Sequence, residues 1–360
     1  MAEKPIQGEK RVFMTGNEAI AYAALAAKAD IMYGYPITPQ NEIMHYWTRM
    51  APKYGKKFLQ TEDELSAGFT TAGGVLTGMK AFTATAGPGN TLMQEPISMA
   101  EMLRLPTVTV IQQRGGPSTA TVIYSQQEVV LTTRGGNGEG WRIVYSTATT
   151  QELYDYTIKA FNTAWKYRFP TFVLGDGYQA KLREALTIYD PEARGIELIE
   201  PRPIVGGEGT PGVDRPPVHL QNCLNLEEDL YDIVMPVSEE YQRIAPEIIE
   251  YHEENIDDAE IVVIAHGVVA RAAKGAVQEL RGQGLKVGYF RPITLRPFPG
   301  EALSKAIEGK KILVVESAYG QLKLLMTEAI YGSTSPIYDL FKPGVGISSE
   351  EVVARVKELL

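Results

Sequence analysis

The chain is expected to fold as two α/β units, each built on a mainly parallel sheet, and three observations carry that expectation. Short β-rich runs alternate with longer helical stretches from Gly16 to about Asp176. Proline and glycine then crowd the stretch from about Pro191 to Pro217 and interrupt regular structure. A second alternating series runs from about Tyr241 to the end. Strands separated by helices connect by right-handed crossovers, which gives parallel sheets covered on both faces. The expected division is a first domain over 1–190, a linker or arm over 191–240 and a second domain over 241–360.

In order, Gly16-Asn17-Glu18 opens an alanine-rich helix through Ala29, and 31–33 is a short apolar strand. A helix follows over 39–50, a strand over 57–60, a helix over 63–76 and a strand over 80–85. The pattern continues with a helix over 90–104, a strand over 107–112, a glycine-rich loop, a strand over 142–146, a helix over 150–167 and a strand over 171–174. Stretches such as Glu200-Pro201-Arg202-Pro203 cannot continue a ladder or a helix. The second unit has strands over 260–265, 286–290 and 311–315 and a last helix over 348–359. No repeat with a period of 20–50 residues is present.

With 360 residues, 44% hydrophobic and 22% charged, the chain has the composition of a globular protein with two cores. A formal charge of -9 and the lack of a basic run argue against a nucleic-acid surface. Cys223 is the single cysteine, so neither an intrachain disulfide nor a four-cysteine cluster can be built from this chain. The four histidines, His45, His219, His252 and His266, lack zinc-motif spacing. No signal-peptide core or membrane-length apolar run is seen, which makes the cytoplasm the expected compartment.

Four motifs fall where expected parallel strands give way to loops: Gly34-Tyr35-Pro36-Ile37-Thr38-Pro39, Glu62-Asp63-Glu64, Gly87-Pro88-Gly89 and Arg114-Gly115-Gly116-Pro117-Ser118-Thr119. In open α/β sheets that edge is where ligands bind. Glu64 at a loop-to-helix junction, followed by small residues, is expected in a poorly hydrated cleft with a raised pKa, which suits a proton donor to a ring nitrogen. The plain alternative is an acid favoured by the helix dipole, and Glu62 is second in line for the catalytic role. Pro36 and Pro39 would hold Thr38 rigidly with its hydroxyl outward, or Thr38 would cap a helix opening at Pro39. Arg114 could bind a carboxylate bidentately beside loop amides that line an anion site, or be an ordinary strand-end arginine. Gly87-Pro88-Gly89 places amides at a helix N-terminus, or is only a tight turn. Gly175-Asp176-Gly177 is read as a strand-end turn, and His266 and Glu316 as packing and subunit-contact residues.

These motifs, in this order and over nearly the whole chain, resemble the alpha subunit of the 2-oxoacid:ferredoxin oxidoreductases. Arg291-Pro292-Ile293-Thr294-Leu295 and the segment 316–321 extend the resemblance into the second domain. The resemblance implies a thiamine-diphosphate pyrimidine-binding-type domain followed by a transketolase C-terminal-like domain. It implies that Glu64 hydrogen-bonds the aminopyrimidine, that Tyr35, Pro36, Gly87 and Pro88 border the cofactor, and that Thr38 and Arg114 hold the substrate. A beta subunit would carry the diphosphate, magnesium and a [4Fe-4S] cluster. Gamma and ferredoxin-like delta subunits complete the expected set, with coenzyme A as cosubstrate and ferredoxin as electron carrier. Gly-Asn-Glu at 16–18 and the segment 113–119 lean toward the 2-oxoglutarate branch over the pyruvate and branched-chain branches. Segments 120–127 and 135–140 depart from the family pattern, and both are expected to border the substrate. The alternatives are a non-catalytic scaffold of the same fold and a transketolase-like or dehydrogenase E1-like chain.

Overall fold

The structure, a computed structural model, describes residues 6–360. The first unit runs β1 (Glu9–Thr15), α1 (Gly16–Ala26), β2 (Ile31–Gly34), α2 (Asn41–Met50), β3 (Lys57–Gln60), α3 (Glu64–Leu76), β4 (Ala81–Thr85), α4 (Pro88–Leu92), α5 (Gln94–Met102) and β5 (Val108–Gln113). It continues with α6 (Val129–Arg134), β6 (Ile143–Ser146), α7 (Thr150–Tyr167), β7 (Thr171–Asp176), α8 (Gly177–Lys181) and β8 (Arg183–Tyr189). The rest comprises α9 (Glu227–Ile248), β9 (Tyr251–Glu254), β10 (Ile261–Ile264), α10 (Val269–Gly282), β11 (Val287–Pro292) and β12 (Thr294–Arg296). Last come α11 (Gly300–Ile307), β13 (Lys311–Glu316), α12 (Gln321–Ala329), β14 (Ile337–Phe341) and α13 (Ser349–Leu359).

A seven-stranded sheet has the order β12-β6-β7-β5-β4-β2-β3, parallel apart from the β12–β6 pair. Its central strand β5 is buried along its whole length, as a parallel strand covered on both faces requires. The second sheet, β14-β13-β10-β11-β9, is parallel except for β9. The alanines of α1 let that helix lie close to α2 and α7, and Gly16 opens it because a Cβ there would sit 2.4 Å from the Gln179 carbonyl oxygen.

The sequence reading did not expect β9, β14 or the short helix α6, and four further features differ from it. The antiparallel pair β1–β8 was not expected. The helix expected over 90–104 is two, α4 and α5, with Pro96 in the first turn of the second, where its missing N–H costs least. The stretch read as a linker or arm ends in a 22-residue helix, α9, that crosses position 240 and carries Pro236 and Pro246 within it. Finally, β12 lies beyond the second unit's first strands in sequence yet joins the first sheet through β6.

The two units are stitched by buried and half-buried polar contacts. The Gln126 amide donates to the His266 carbonyl at 2.7 Å and accepts from the Ser317 N–H at 2.9 Å. Arg291 forms an ion pair with Glu152 at 2.5 Å. Ser146 hydrogen-bonds the His266 ring at 2.9 Å, and burial together with the Arg291 charge pushes that imidazole down to about 3. Within the first unit Arg142 and Glu101, both buried, pair through contacts of 2.6 and 2.7 Å. His266 and Glu316 serve packing inside the chain: Glu316 accepts from the Leu322 and Lys323 N–H groups and so caps α12.

Candidate active site

The strands β5, β4, β2 and β3 are neighbours in that order, and each of the four motifs follows one of them. Adjacent parallel strands deliver their following loops to one edge, so the topology alone brings the motifs together. Side-chain contacts then join them. Arg114 donates from Nη1 to the Thr38 carbonyl at 2.8 Å and from Nη2 to the Thr119 carbonyl at 3.1 Å. Its Nε faces Gly87, where a Cβ would lie 2.8 Å from it, and finds no partner among the described residues. Gly87 also has φ +53, a conformation that a side chain would strain.

Glu64 is the first residue of α3, placed there by Asp63, whose carboxylate caps the helix through the Ser66 N–H at 2.7 Å. It is 4% exposed. Burial raises its pKa above the ordinary carboxylate value, its own N–H pulls it back, Asp63 adds to the rise and Arg114 opposes it. No other side chain hydrogen-bonds this carboxylate among the described residues. Gly89 is a glycine for its sake: a Cβ there would meet the Thr85 hydroxyl at 2.2 Å and Glu64 Oε1 at 2.5 Å. The Thr85 hydroxyl is itself buried without a partner among the described residues. A buried, protonatable acid beside an orphaned hydroxyl and a bare glycine backbone leaves polar groups for a ligand to satisfy. Glu62, by contrast, is exposed and accepts from the Ser66 hydroxyl at 2.9 Å.

The other motif residues have the following surroundings. Pro36 is exposed and Tyr35 half-buried, with the Tyr35 carbonyl accepting from Gln40 at 2.8 Å. Thr38 does not cap a helix at Pro39, because α2 starts at Asn41 and has no side-chain cap. Its recorded contact is through its carbonyl, to Arg114. Some of the amides expected to line anion sites are spent inside the chain. Gly87 N–H and Arg114 N–H both donate to Glu128 Oε1, at 2.8 and 2.9 Å, and Gly116 N–H donates to Gln127 at 3.3 Å. Segment 120–127 supplies Gln126 to the contact between the units, and 137–140 line a cavity bounded by α5 and α9. Asp176, in the turn that mimics a diphosphate motif, caps α8 through the Gln179 N–H at 2.9 Å. Burial pushes its carboxyl up to about 7.

The residue that sequence reasoning missed is Glu128. Fully enclosed, it holds the arginine loop and the Gly-Pro-Gly turn at once, and its Oε2 accepts from Asn90 at 3.0 Å. Every partner is a donor, so the ionised carboxylate is the matching form even though burial pushes its pKa up. Nothing in sequence pairs position 128 with 87, 90 and 114. Glu128→Gln would set an amide N–H₂ against either Asn90 or the two backbone N–H groups. Asn90 cannot turn to relieve this without losing the Gln94 amide that donates to its Oδ1. We expect a loss of about 3 kcal/mol, read as a lower urea midpoint of the isolated chain. An unchanged midpoint would contradict the bridging role.

An open, mainly parallel sheet with a buried acid where its strands end defines an α/β chain whose strand-end edge is the ligand-binding one. A family model described as pyruvate flavodoxin/ferredoxin oxidoreductase, thiamine diphosphate-binding, matches residues 22–253, and one described as pyruvate:ferredoxin oxidoreductase core domain II matches 259–347. The chain belongs to this oxidoreductase family. It is 37% identical over 86% of its length to the 2-oxoglutarate synthase subunit KorA of Methanocaldococcus jannaschii, covering 89% of that protein. It is 35% identical, with 86% of each chain covered, to the ketoisovalerate oxidoreductase subunit VorB of Methanothermobacter thermautotrophicus. A solved 2-oxoglutarate:ferredoxin oxidoreductase from Magnetococcus marinus, with 2-oxoglutarate, coenzyme A and succinyl-CoA bound, superposes with TM-score 0.86 at 27% identity. That match covers 97% of this chain and 65% of the solved one. No helix among the described residues is long and apolar enough to cross a membrane.

Proposed function

We propose that this chain is the alpha subunit of a coenzyme A-acylating 2-oxoacid:ferredoxin oxidoreductase whose acid is 2-oxoglutarate. The observation that carries the reading is the buried Glu64 carboxyl, with its raised pKa and no side-chain partner, facing Gly89 where the four motifs meet. Thiamine diphosphate, when bound, supplies a nucleophilic carbon that attacks the 2-oxo group and accommodates the electron pair left as carbon dioxide departs. Glu64 would hold a proton at the pyrimidine ring nitrogen, a task suited to a carboxyl whose pKa burial raises above its ordinary value. Gly87, Pro88 and Gly89 leave room beside that acid, and Tyr35 and Pro36 border the same cleft.

Arg114 would bind the substrate carboxylate with the two Nη hydrogens not already spent on Thr38 and Thr119. Those carbonyls hold the guanidinium in place before substrate arrives. Thr38 would lie beside the substrate carbonyl, its hydroxyl free to donate. The diphosphate, magnesium and a [4Fe-4S] cluster are assigned to a beta subunit, with gamma and ferredoxin-like delta chains completing the complex and ferredoxin taking the electrons. The cytoplasm is the matching compartment.

The relatives named above act, by their names, on 2-oxoglutarate and on ketoisovalerate, so the branched-chain acid is the reading to exclude. The purified complex is given coenzyme A, an artificial one-electron acceptor and each of 2-oxoglutarate, pyruvate and 3-methyl-2-oxobutanoate. We expect kcat/KM for 2-oxoglutarate to exceed the others by at least about 10-fold, the discrimination that one well-placed charge contact supplies. A preference for the branched acid would overturn the substrate assignment.

A further inference from the structure

The first two-thirds of α9 is a helix that the rest of the chain covers only in part, Val237 packing on the core beside Tyr241. Its buried residues begin at Tyr241, with Ile244 and Ile248 behind it, and nothing from 227 to 240 is buried. Apolar side chains nevertheless recur at helical spacing at Leu226, Leu230, Val234 and Val237, with Leu226 58% and Leu230 45% exposed. They face a cavity of about 480 Å³ whose far wall includes Met99 and Met102 of α5, with Trp141 beside them. A stripe of this kind on a helix is ordinarily buried, and one left open marks an interaction site.

The charges say what kind of partner it fits. Among the described residues no lysine or arginine lines the cavity, while Glu95, Glu139 and Glu227 do. All three are exposed, and none has an ion pair among the described residues. Between positions 216 and 242 the sequence holds six carboxylates and no lysine or arginine. A second copy of this chain placed here would set carboxylate against carboxylate across a two-fold interface, which is unfavourable. An anionic partner is excluded on the same ground. An apolar floor with adaptable methionines, and a lining whose charged residues are all acidic, matches a helix or strand bearing apolar residues flanked by lysine or arginine.

We infer that this groove docks a basic amphipathic segment of a partner subunit. The inference rests on the reading of the chain as one subunit of an oxidoreductase complex. Apolar side chains of the partner fill the cavity beneath α9, and its cations meet Glu95, Glu139 and Glu227. The first half of α9 is then covered in the assembly and bare only in the isolated chain.

The test is the affinity of the separately purified chain for its partner subunits, followed by fluorescence anisotropy at low and high salt. The wild-type interaction should weaken as salt rises. The triple variant Glu95→Gln, Glu139→Gln, Glu227→Gln should bind at least about 10-fold more weakly at low salt and lose most of the salt dependence. Leu230→Asp should weaken binding to a similar degree. All four positions are exposed, so circular dichroism and melting of the isolated variants should match the wild type. Unchanged affinity in both variants overturns the proposal. So does self-association of the isolated chain that Leu230→Asp abolishes, because it puts a second copy in the groove. The readout is binding without turnover, so an error in the role given to Glu64 leaves these outcomes untouched.

Discussion

Glu64→Gln is expected to lower turnover of the assembled complex by about 10³-fold, within the range for loss of a positioned acid–base group. Glutamine keeps the size and the hydrogen-bonding reach of the side chain but cannot exchange a proton at the ring nitrogen. Assembly should be intact. The fold should be no less stable, because the wild-type carboxyl has a pKa raised by burial. With the folded value above the unfolded one, the folded chain holds the proton more tightly, and ionisation costs stability as pH rises through that interval. A neutral amide removes this cost. Steady-state turnover together with urea midpoints at neutral pH separates the two effects. Turnover like the wild type would end the assignment, and a collapse in stability would make Glu64 a structural residue.

Arg114→Ala should reduce kcat/KM for the 2-oxoacid by about 10²-fold, the loss expected of a charge-assisted pair in a cleft. The affinity for thiamine diphosphate should change little, since the guanidinium contacts recorded here run to Thr38 and Thr119. Arg114→Lys should recover only a small part of the activity. One ammonium cannot span two carbonyls and also present a fork to a carboxylate. Comparing kcat/KM with a calorimetric dissociation constant for the cofactor checks this. The reverse pattern, with cofactor binding lost and substrate use kept, would move Arg114 out of the substrate site.

The sheet and the edge of it that carries the motifs were legible because the determinants are local. Buried parallel strands read as continuous apolar runs, and Glu64, Gly87 and Arg114 each stand at a strand-to-loop change in the sequence itself. The expected role of the loop amides is narrowed for a reason no local pattern carries. Glu128, distant in sequence, consumes the N–H groups of Gly87 and Arg114. The small residues of α3 were similarly ambiguous. Gly68 admits Pro96, which a Cβ would meet at 2.4 Å, and Gly74 admits Tyr33 at 2.9 Å, so both serve packing within the chain. Helix α9 was hidden by Pro236 and Pro246, which signal a break. The helix holds because its C-terminal half is docked through Tyr241, whose hydroxyl donates to the Arg142 carbonyl at 2.7 Å. The β1–β8 pair went unseen because its register depends on two segments at opposite ends of the first unit.

The central claim is that an acid of this chain serves a cofactor whose phosphate end another chain grips. The most direct measurement is a structure of the complete assembly with thiamine diphosphate bound. The account predicts the Glu64 carboxylate within about 3 Å of the pyrimidine ring nitrogen, with the diphosphate and its magnesium held by the partner. A pyrimidine beyond hydrogen-bonding reach of Glu64, or paired with an acid of the partner, would contradict it.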